Sequence, residues 1–219
     1  MKIALIGATG FVGSALLPEL LDRGHAVTAL LRDPARLAPA ERLRAVRADV
    51  LDPAQVAQAV EGQDAVLSAF NPGWQAPDLY DAFLRGSDAI VEGVRRAGVK
   101  RLVVVGGAGS LYVAPGVQLV DTPAFLEHVP ANIVPGARAA RLALERLRGE
   151  RGLDWTFVSP PAMLQPGERS GRYRLGGDEL LTDGGAPAGI SVRDLAVAIV
   201  DELKQPRHLR QRFTAASAS

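Results

Sequence analysis

The sequence predicts an α/β fold with a doubly wound parallel sheet and helices on both faces. Two observations support this prediction. Short apolar runs alternate with longer stretches of helical periodicity along the 219 residues, and the strand-like runs are apolar throughout rather than alternately polar. Continuously apolar strands separated by helices are typical of a parallel sheet that is covered on both faces. We expect one domain over residues 1–219, with a core at 1–160, and with a small substrate-side C-terminal extension and the last helix and strand at 161–219.

The predicted elements follow one another in a regular order. Strands are expected at residues 2–6, 26–31, 43–49, 64–70, 101–107, 154–159 and 211–215, and helices at 11–24, 53–62, 78–97, 137–149 and 191–203. Asp52 and Ser191 are predicted N-caps, since such side chains accept hydrogen bonds from the first helical amides. Pro18 lies inside the first predicted helix, so that helix is either kinked or begins later than residue 11. The last four residues, "ASAS", are expected to be frayed.

Composition and charge exclude several classes of function. The net charge of +1 favours neither nucleic acid nor an anionic membrane surface as a partner. The chain has no cysteine, which excludes disulfides, thiolate nucleophiles and cysteine-based metal sites. The three histidines, at positions 25, 128 and 208, are too far apart to form a local metal motif, so we expect no metal.

The apolar N-terminal stretch is unlike a signal peptide, because glycines interrupt it and no cleavage site follows. No apolar run approaches the roughly 20 residues that span a bilayer. We therefore expect a cytoplasmic protein, monomeric or homodimeric, without a membrane or nucleic-acid partner.

The segment "GATGFVG", residues 7–13, carries three glycines between the first strand and the first helix. Gly7 permits a tight bend, Gly10 leaves room for a pyrophosphate at the helix N-terminus, and Gly13 lets the helix pack closely on the sheet. No G-K-[ST] follows, so the turn is not a P-loop. The pattern predicts a dinucleotide-binding turn in a Rossmann-type sheet, and the alternative is a tight turn without a ligand. The candidate cofactor-binding residues of this turn are Gly7, Thr9, Gly10, Phe11, Val12 and Gly13.

The second predicted strand ends within "ALLRDP". In dinucleotide-binding sheets, residues at this strand end contact the adenosine ribose. An acidic residue there accepts from the 2′-hydroxyl of NAD, whereas a basic residue pairs with the 2′-phosphate of NADP. Arg32 comes first after the strand and Asp33 second, so we expect NADP(H) to be preferred over NAD(H). The alternative is that Arg32 is solvated and Asp33 caps the turn before Pro34.

Several motifs resemble those of one family. "GATGFVG", "RADVLDP" (47–53) and "SAFNPG" (68–73) are similar to segments of the atypical short-chain dehydrogenase/reductases. "VVVGGAGSLYVAPG" (103–116) and "SPPAMLQPGERSGRYRLGGDELL" (159–181) resemble their NAD(P)H-binding, NADH-flavin reductase branch, which is biliverdin reductase B-like. The resemblance implies further cofactor contacts: Asp49 and Val50 beside the adenine, Ala69 and Phe70 along the adenosine ribose and pyrophosphate, Gly106 and Gly107 near the nicotinamide ribose, and Pro160 against the nicotinamide ring.

Ordinary members of the wider family use Tyr-x-x-x-Lys, in which the tyrosine is the acid/base and the lysine lowers its pKa. Here leucine, glycine and glycine stand four positions after the three tyrosines, so the dyad is absent at this spacing. Its usual place is taken by the arginine-rich helix at 137–149, whose Arg138 and Arg141 we expect on a solvated face. A flavin acceptor tolerates this loss, because hydride goes to an electron-poor ring nitrogen and water supplies the proton.

Residues 108–136 are predicted to form a long loop with four prolines, within which "LVDTPAFLEHVP" (119–130) is a candidate lid. The resemblance places Ser110 at the position of the family's catalytic serine, and Tyr112 follows on the same loop. Both are candidate catalytic residues, and the alternative for Ser110 is that it only closes a glycine-rich turn. His128, in the candidate lid, is expected at the surface.

Three functions stay open at this point. The first is an NAD(P)H-dependent reductase of flavins or similar planar acceptors, with Pro160, Pro161 and Met163 as the floor of the acceptor site. The second is a redox-sensing regulator that binds NADP without turnover, as some NmrA-like members of the superfamily do. The third is a reductase or epimerase of a carbonyl metabolite, with Tyr112 as a substitute proton donor.

Overall fold

The structure is a computed structural model that describes residues 1–218. Its strands, in chain order, are β1 (Lys2–Ile6), β2 (Ala26–Leu31), β3 (Leu43–Arg47), β4 (Ala65–Ser68), β5 (Arg101–Val105), β6 (Tyr112–Ala114), β7 (Val117–Gln118), β8 (Asp154–Ser159), β9 (Met163–Gln165), β10 (Tyr173–Gly176), β11 (Thr182–Asp183), β12 (Ala186–Pro187), β13 (Gly189–Ser191) and β14 (Gln211–Ser217). Its helices are α1 (Gly13–Asp22), α2 (Pro53–Val60), α3 (Leu79–Arg96), α4 (Pro123–His128), α5 (Val134–Arg148) and α6 (Val192–Lys204).

Eight of these strands form one sheet in the order β10-β14-β8-β5-β4-β1-β2-β3. Neighbouring strands are parallel except β10 and β14. The chain starts on β1, adds β2 and β3 on one side, and then returns past β1 to add β4, β5, β8 and β14 on the other side. The sheet is therefore doubly wound, as predicted. The antiparallel edge strand β10 belongs to the C-terminal extension and was not predicted.

Helices cover both faces of the sheet. α1 and α6 pack together on one face, where Leu16 and Ile199 lie in a buried core. α2, α3 and α5 pack on the other face, where Val94 lies in a second core. Ile3 and Ala4, which are neighbours on β1, belong to opposite cores. The strands are apolar throughout because both of their faces are buried.

The boundaries of the predicted elements hold to within a few residues. Asp52 and Ser191 cap α2 and α6 as predicted, each accepting a hydrogen bond from an amide of the first turn. α1 begins at Gly13, two residues later than predicted, and continues through Pro18. β3, β4 and β5 each end two residues before their predicted ends, because the chain there leaves the sheet.

Two predictions about irregular segments are wrong. Residues 108–136 contain the β6–β7 hairpin, α4 and two 3₁₀ turns, at Ala108–Ser110 and Leu119–Asp121, and α5 already begins at Val134. The "ASAS" end is not frayed at its start, because β14 continues to Ser217 and pairs there with β10. The prediction for Ser219 lies outside the described residues. Among the described residues, the structure contains no helix with the length and apolar character needed to cross a membrane.

Candidate functional site

The carboxyl ends of the central strands meet at one edge of the sheet, and the winding changes direction there between β1 and β4. In doubly wound sheets, ligands bind in the crevice outside this point, where the loops diverge. The loops that leave β1, β4, β5 and β8 carry Gly7, Ala69, Gly106 and Pro160, respectively. The structure therefore brings to one crevice candidate residues that came from four separate sequence motifs.

The turn after β1 uses glycines where a side chain would overlap the backbone. Gly7 has a φ of +81°, which other residues rarely adopt, and a β-carbon there would lie 2.8 Å from the carbonyl carbon of Ala69. A β-carbon at Gly13 would lie 2.6 Å from the carbonyl carbon of Gly7 and would overlap its oxygen. Gly7 lets β1 bend beside the end of β4, as predicted. Gly13 packs against the turn itself rather than against the sheet, which corrects the contact expected for it.

Gly10 borders open space. Apart from its chain neighbours, a β-carbon there would meet one atom, a carbonyl oxygen of the same turn, at 3.3 Å. α1 begins three residues later without a side-chain cap, and within residues 1–218 the amides of Phe11, Val12 and Gly13 have no hydrogen-bond partner. Free amides at a helix N-terminus attract an anion, so this cradle fits a pyrophosphate. The ring of Phe11 is 49% exposed beside it, and Thr9 is partly buried.

One exposed arginine, Arg32, directly follows β2, and another, Arg47, ends β3. Arg32 is exposed and, in the part of the chain that the structure describes, makes no ion pair or side-chain hydrogen bond. The Asp33 carboxylate accepts a backbone N–H two residues on, at 3.2 Å, and so caps the following turn, as the alternative interpretation expected. Arg47 pairs with Leu31 in the β2–β3 register, so its backbone lies opposite the residue that precedes Arg32. The sequence analysis missed Arg47, although an arginine closing the strand "LRAVR" was an available signal.

The two residues implied as adenine contacts form a turn after β3. The Asp49 N–H donates to Gln55 Oε1 at 3.0 Å, and its carboxylate accepts the N–H of Leu51 at 3.0 Å. Val50 is partly buried and packs against the core under α2, α3 and α5. The turn therefore has a defined shape at the edge of the crevice next to β2.

The ring of Phe70 points away from the crevice. The backbone of Ala69 and Phe70 lies against Gly7, but the ring packs on Gly86 of α3, where a β-carbon would lie 3.2 Å from Phe70 Cδ1 and overlap the ring edge. Phe70 and Phe83, with ring centroids 6.1 Å apart, line a cavity of about 540 Å³ between α3 and α5. The contact implied for Phe70 can therefore come only from its backbone. We place the site at the glycine turn because this cavity contains none of the three turn glycines.

Gly106 and Gly107, after β5, have different surroundings. A β-carbon at Gly106 would lie 3.0 Å from Cε2 of Phe157 and would overlap the rest of that ring, so core packing requires this glycine. At Gly107 the nearest atom is the β-carbon of Ala140, at 3.8 Å. The open space beside Gly107 is compatible with the ribose contact that the resemblance implies.

The predicted acceptor floor offers little free surface. Pro160 and Pro161 are buried by protein, whereas Met163 is 56% exposed. Of the three residues expected to line the floor, only Met163 presents its side chain freely.

The two candidate catalytic residues lie on the wall of the crevice after β5. Ser110 ends a 3₁₀ turn and is only 2% exposed. Its hydroxyl accepts a hydrogen bond from Arg212 Nη1 at 3.1 Å and lies 3.5 Å from the Ser159 hydroxyl. Tyr112 is partly exposed, and its N–H donates to the carbonyl oxygen of Asp178 at 2.9 Å. Ser110 thus closes a turn, as the alternative expected, and also makes a polar contact that turn closure does not require.

Arg212 is a candidate functional residue that the sequence analysis missed. Its side chain is fully buried beneath Ser110, and burial lowers the pKa of the guanidinium while the Asp178 carboxylate opposes that effect. A guanidinium remains protonated in proteins, so this is a fixed charge. The available signal was a charged residue inside the otherwise apolar strand "QRFTAAS".

The lysines lie at the edge of the sheet opposite the crevice. Lys2 begins β1, Lys100 immediately precedes β5, and Lys204 ends α6. No lysine of the described chain is therefore close to Tyr112. Within residues 1–218, no group of three or more histidine, aspartate or glutamate side chains is arranged to hold a metal ion.

The candidate lid is anchored at its start. Arg141 of α5 binds Asp121 Oδ2 at 2.5 Å, so the expectation that Arg141 is solvated is wrong, whereas Arg138 is exposed as expected. Val120 is buried. His128 is exposed at the end of α4, as expected. Val120 therefore fixes the start of residues 119–130, whereas most residues from Asp121 to Pro130 are exposed.

A glycine cradle at the switch point of a doubly wound sheet is typical of dinucleotide-binding proteins. Residues 7–206 match the NAD(P)H-binding family, and the chain belongs to this family. Its cofactor is accordingly a nicotinamide dinucleotide, which the free amides of the glycine turn can accommodate.

Three solved structures resemble nearly the whole chain. A candidate epimerase from Bacteroides thetaiotaomicron is 45% identical, with a TM-score of 0.91 over 100% of this chain and 97% of that one. A candidate exported protein from Burkholderia pseudomallei is 47% identical, with a TM-score of 0.86 over 99% of both chains. A candidate NADH-flavin reductase from Streptococcus pneumoniae is 32% identical, with a TM-score of 0.81 over 100% of both chains. These similarities confirm the predicted family and the Rossmann-type fold. The cytoplasmic location, the preference for NADP(H) and the oligomeric state stay predictions.

Proposed function

We propose that this protein is an NAD(P)H-dependent reductase that transfers hydride to a flavin or a similar planar acceptor, with NADP(H) preferred over NAD(H). One observation carries the proposal. The crevice combines a cradle of free amides for a dinucleotide with no lysine–tyrosine pair for protonating a carbonyl, because the described lysines all lie at the opposite edge of the sheet.

The cofactor end of the crevice suits a phosphorylated dinucleotide. The amides of Phe11, Val12 and Gly13 would hold the pyrophosphate, and the N-terminal end of the α1 dipole favours its negative charge. Arg32 would pair with the 2′-phosphate, since the Asp33 carboxylate is already used in its own turn. When bound, the reduced nicotinamide supplies the hydride.

The acceptor end supplies orientation rather than an acid–base pair. Hydride transfer needs the reacting atoms stacked about 3–3.5 Å apart, and water can deliver the proton afterwards. The exposed Met163 offers a flexible apolar surface on which a planar ring can rest. The similarity to the candidate NADH-flavin reductase from Streptococcus pneumoniae also supports this acceptor class.

A regulator that binds NADP without turnover is the second candidate. The missing lysine–tyrosine pair of the described chain supports it equally, because a protein that only binds NADP needs no proton donor. A carbonyl reductase or epimerase is the third. The similarity to the candidate epimerase from Bacteroides thetaiotaomicron supports it, and it requires Tyr112 as the proton donor.

One experiment separates these functions. NADPH oxidation is followed by ultraviolet absorbance with FMN, FAD, riboflavin, quinones and simple carbonyl compounds, beside a fluorescence titration of NADPH alone. Turnover with a flavin supports the proposal, whereas turnover with carbonyl compounds only contradicts it. Saturable NADPH binding without turnover of any acceptor favours the regulator.

A further inference from the structure

Arg212 connects three segments that are far apart in the sequence. From β14, its Nη1 donates to the carbonyl and hydroxyl oxygens of Ser110, at 2.9 and 3.1 Å. Its Nε donates to Asp178 Oδ1 at 2.6 Å, and its Nη2 donates to the Asp178 carbonyl oxygen at 2.9 Å. The guanidinium is therefore held at both ends, between the turn after β5 and the C-terminal extension.

These contacts decide how the Ser110 hydroxyl can act. A guanidinium has donors only, so the Ser110 oxygen must accept from Arg212 and its hydrogen must point elsewhere. The Ser159 oxygen, at 3.5 Å, lies at the outer limit of hydrogen bonding. In the described part of the chain, Ser110 is thus left as a donor without a good acceptor.

A fixed positive charge at this wall suits hydride transfer. In the proposed reaction a C–H bond of the reduced nicotinamide breaks, and the hydride forms a new bond to the acceptor. The nicotinamide is oxidised, and the acceptor gains two electrons and a negative charge until water delivers a proton. A hydrogen-bond donor backed by a buried cation stabilises that charge as it develops.

We propose that Arg212 is a positioning residue for this reaction, which holds the Ser110 hydroxyl as a donor toward the acceptor and keeps a positive charge behind it. The proposal rests on the proposed function. It gives the last strand an electrostatic role comparable to that of the lysine in Tyr-x-x-x-Lys, exerted through a serine. The acceptor then needs an oxygen or nitrogen that becomes anionic on reduction, as flavins and quinones have.

Substitutions at the two residues test this coupling. Arg212→Met removes the charge and both hydrogen bonds to Ser110, and we expect kcat to fall about 10- to 100-fold while the KM for NADPH changes less than about threefold. Arg212→Lys keeps the charge and should recover part of the rate. In a Ser110→Ala background, Arg212→Met should lower kcat by less than a further factor of about three, because both residues act through one contact.

Arg101 provides a matched control. It is a largely buried arginine in a strand of the same sheet, paired with Glu202 at 3.2 Å, but it begins β5 at the edge opposite the crevice. Both Arg101→Met and Arg212→Met should lower the thermal unfolding temperature. Arg101→Met, however, should leave kcat within about twofold of the value of the unmodified protein. A similar loss of kcat in both variants would show that Arg212 is only structural.

A binding measurement without NADPH gives a second readout. Oxidised FMN and chemically reduced FMN are titrated separately under anaerobic conditions. Arg212→Met should weaken binding of reduced FMN about 10-fold and of oxidised FMN less than about threefold, because only the reduced form carries the added charge. Equal weakening of both forms, or an unchanged kcat in Arg212→Met, overturns the role proposed for Arg212 and leaves the proposed function intact. Absence of turnover by the unmodified protein with every acceptor overturns the proposed function and this role together.

Discussion

Replacing Gly10 by valine should abolish cofactor binding while leaving the chain folded. Gly10 is exposed and is not in the left-handed region, and a β-carbon there would approach a single carbonyl oxygen, at 3.3 Å. That contact is tight by only a few tenths of an ångström, so the unfolding free energy should fall by no more than about 1 kcal/mol. The two methyl groups would extend into the open space beside the free amides of Phe11, Val12 and Gly13.

The expected loss of affinity follows from the hydrogen bonds that the pyrophosphate would lose. A charge-assisted hydrogen bond contributes about 1.5–3 kcal/mol, so losing two of them costs about 3–6 kcal/mol. This corresponds to a rise in the Kd of NADPH by a factor of at least about 100.

Gly13→Ala is the matched control, because it should affect folding first. Its β-carbon would lie 2.6 Å from the carbonyl carbon of Gly7 and 2.9 Å from the α-carbon of Ala8, and backbone atoms cannot rotate aside. We expect this variant to lose about 2–3 kcal/mol of stability, which lowers Tm by roughly 4–12 °C in a chain of this size.

Thermal unfolding and a fluorescence titration of NADPH check both variants. Gly10→Val should unfold close to the unmodified protein and show no saturable binding, and Gly13→Ala should unfold at a clearly lower temperature. Unchanged NADPH affinity in Gly10→Val would refute the assignment of the turn to a dinucleotide. Unfolding of Gly10→Val would show that the turn itself requires this glycine.

Three further predictions concern single side chains. Arg32→Ala should weaken NADPH binding about 10- to 150-fold and leave NADH binding nearly unchanged, because one charge-assisted contact with the 2′-phosphate is lost, and equal losses for both cofactors in parallel titrations would contradict this role. Tyr112→Phe should retain most of its turnover with a flavin, since general acid catalysis is worth about 100- to 10,000-fold, and a loss of that size with unchanged affinities would assign the proton to Tyr112. His25 is 4% exposed with no hydrogen-bond partner for either ring nitrogen in the described chain, and burial, with the charges of the N-terminus, Lys204 and Arg23, lowers its pKa below the ordinary value of 6.5. The unfolded chain then takes up a proton at His25 before the folded one does, so stability should fall as the pH drops below that ordinary value, by at most about 1.4 kcal/mol per pH unit. Chemical denaturation of the unmodified protein and His25→Phe at neutral and mildly acidic pH measures this difference, and an equal acid loss in both would exclude His25 as its source.

The glycine turn and the helix caps could be predicted because each is marked by a few adjacent residues of the sequence. Gly7 and Gly13 occupy positions where a β-carbon would overlap the backbone of the same turn or of the adjoining strand end. Asp52 and Ser191 accept amides only two or three residues away. The continuously apolar strands also predicted burial on both faces, which the two cores confirm. Local patterns of this kind can be recognised in the sequence without the three-dimensional structure.

Side-chain positions around the crevice could not be predicted, because their partners are distant in the sequence. Arg212 meets Ser110 across 102 residues, and Arg141 meets Asp121 across 20. The ring of Phe70 leaves the crevice because a glycine on α3 leaves space for it. Such contacts depend on which helix or strand the fold places alongside, and no local pattern encodes that.

The sequence by itself determined that this chain winds a parallel sheet outward from a glycine turn suited to a dinucleotide, since both features follow from local hydrophobicity and backbone freedom. Only the tertiary structure decided which groups stand behind the acceptor side of the crevice. The end of β5, the last strand and the C-terminal extension come together only in the folded chain, and a buried charge is stable there only because partners from all three segments surround it.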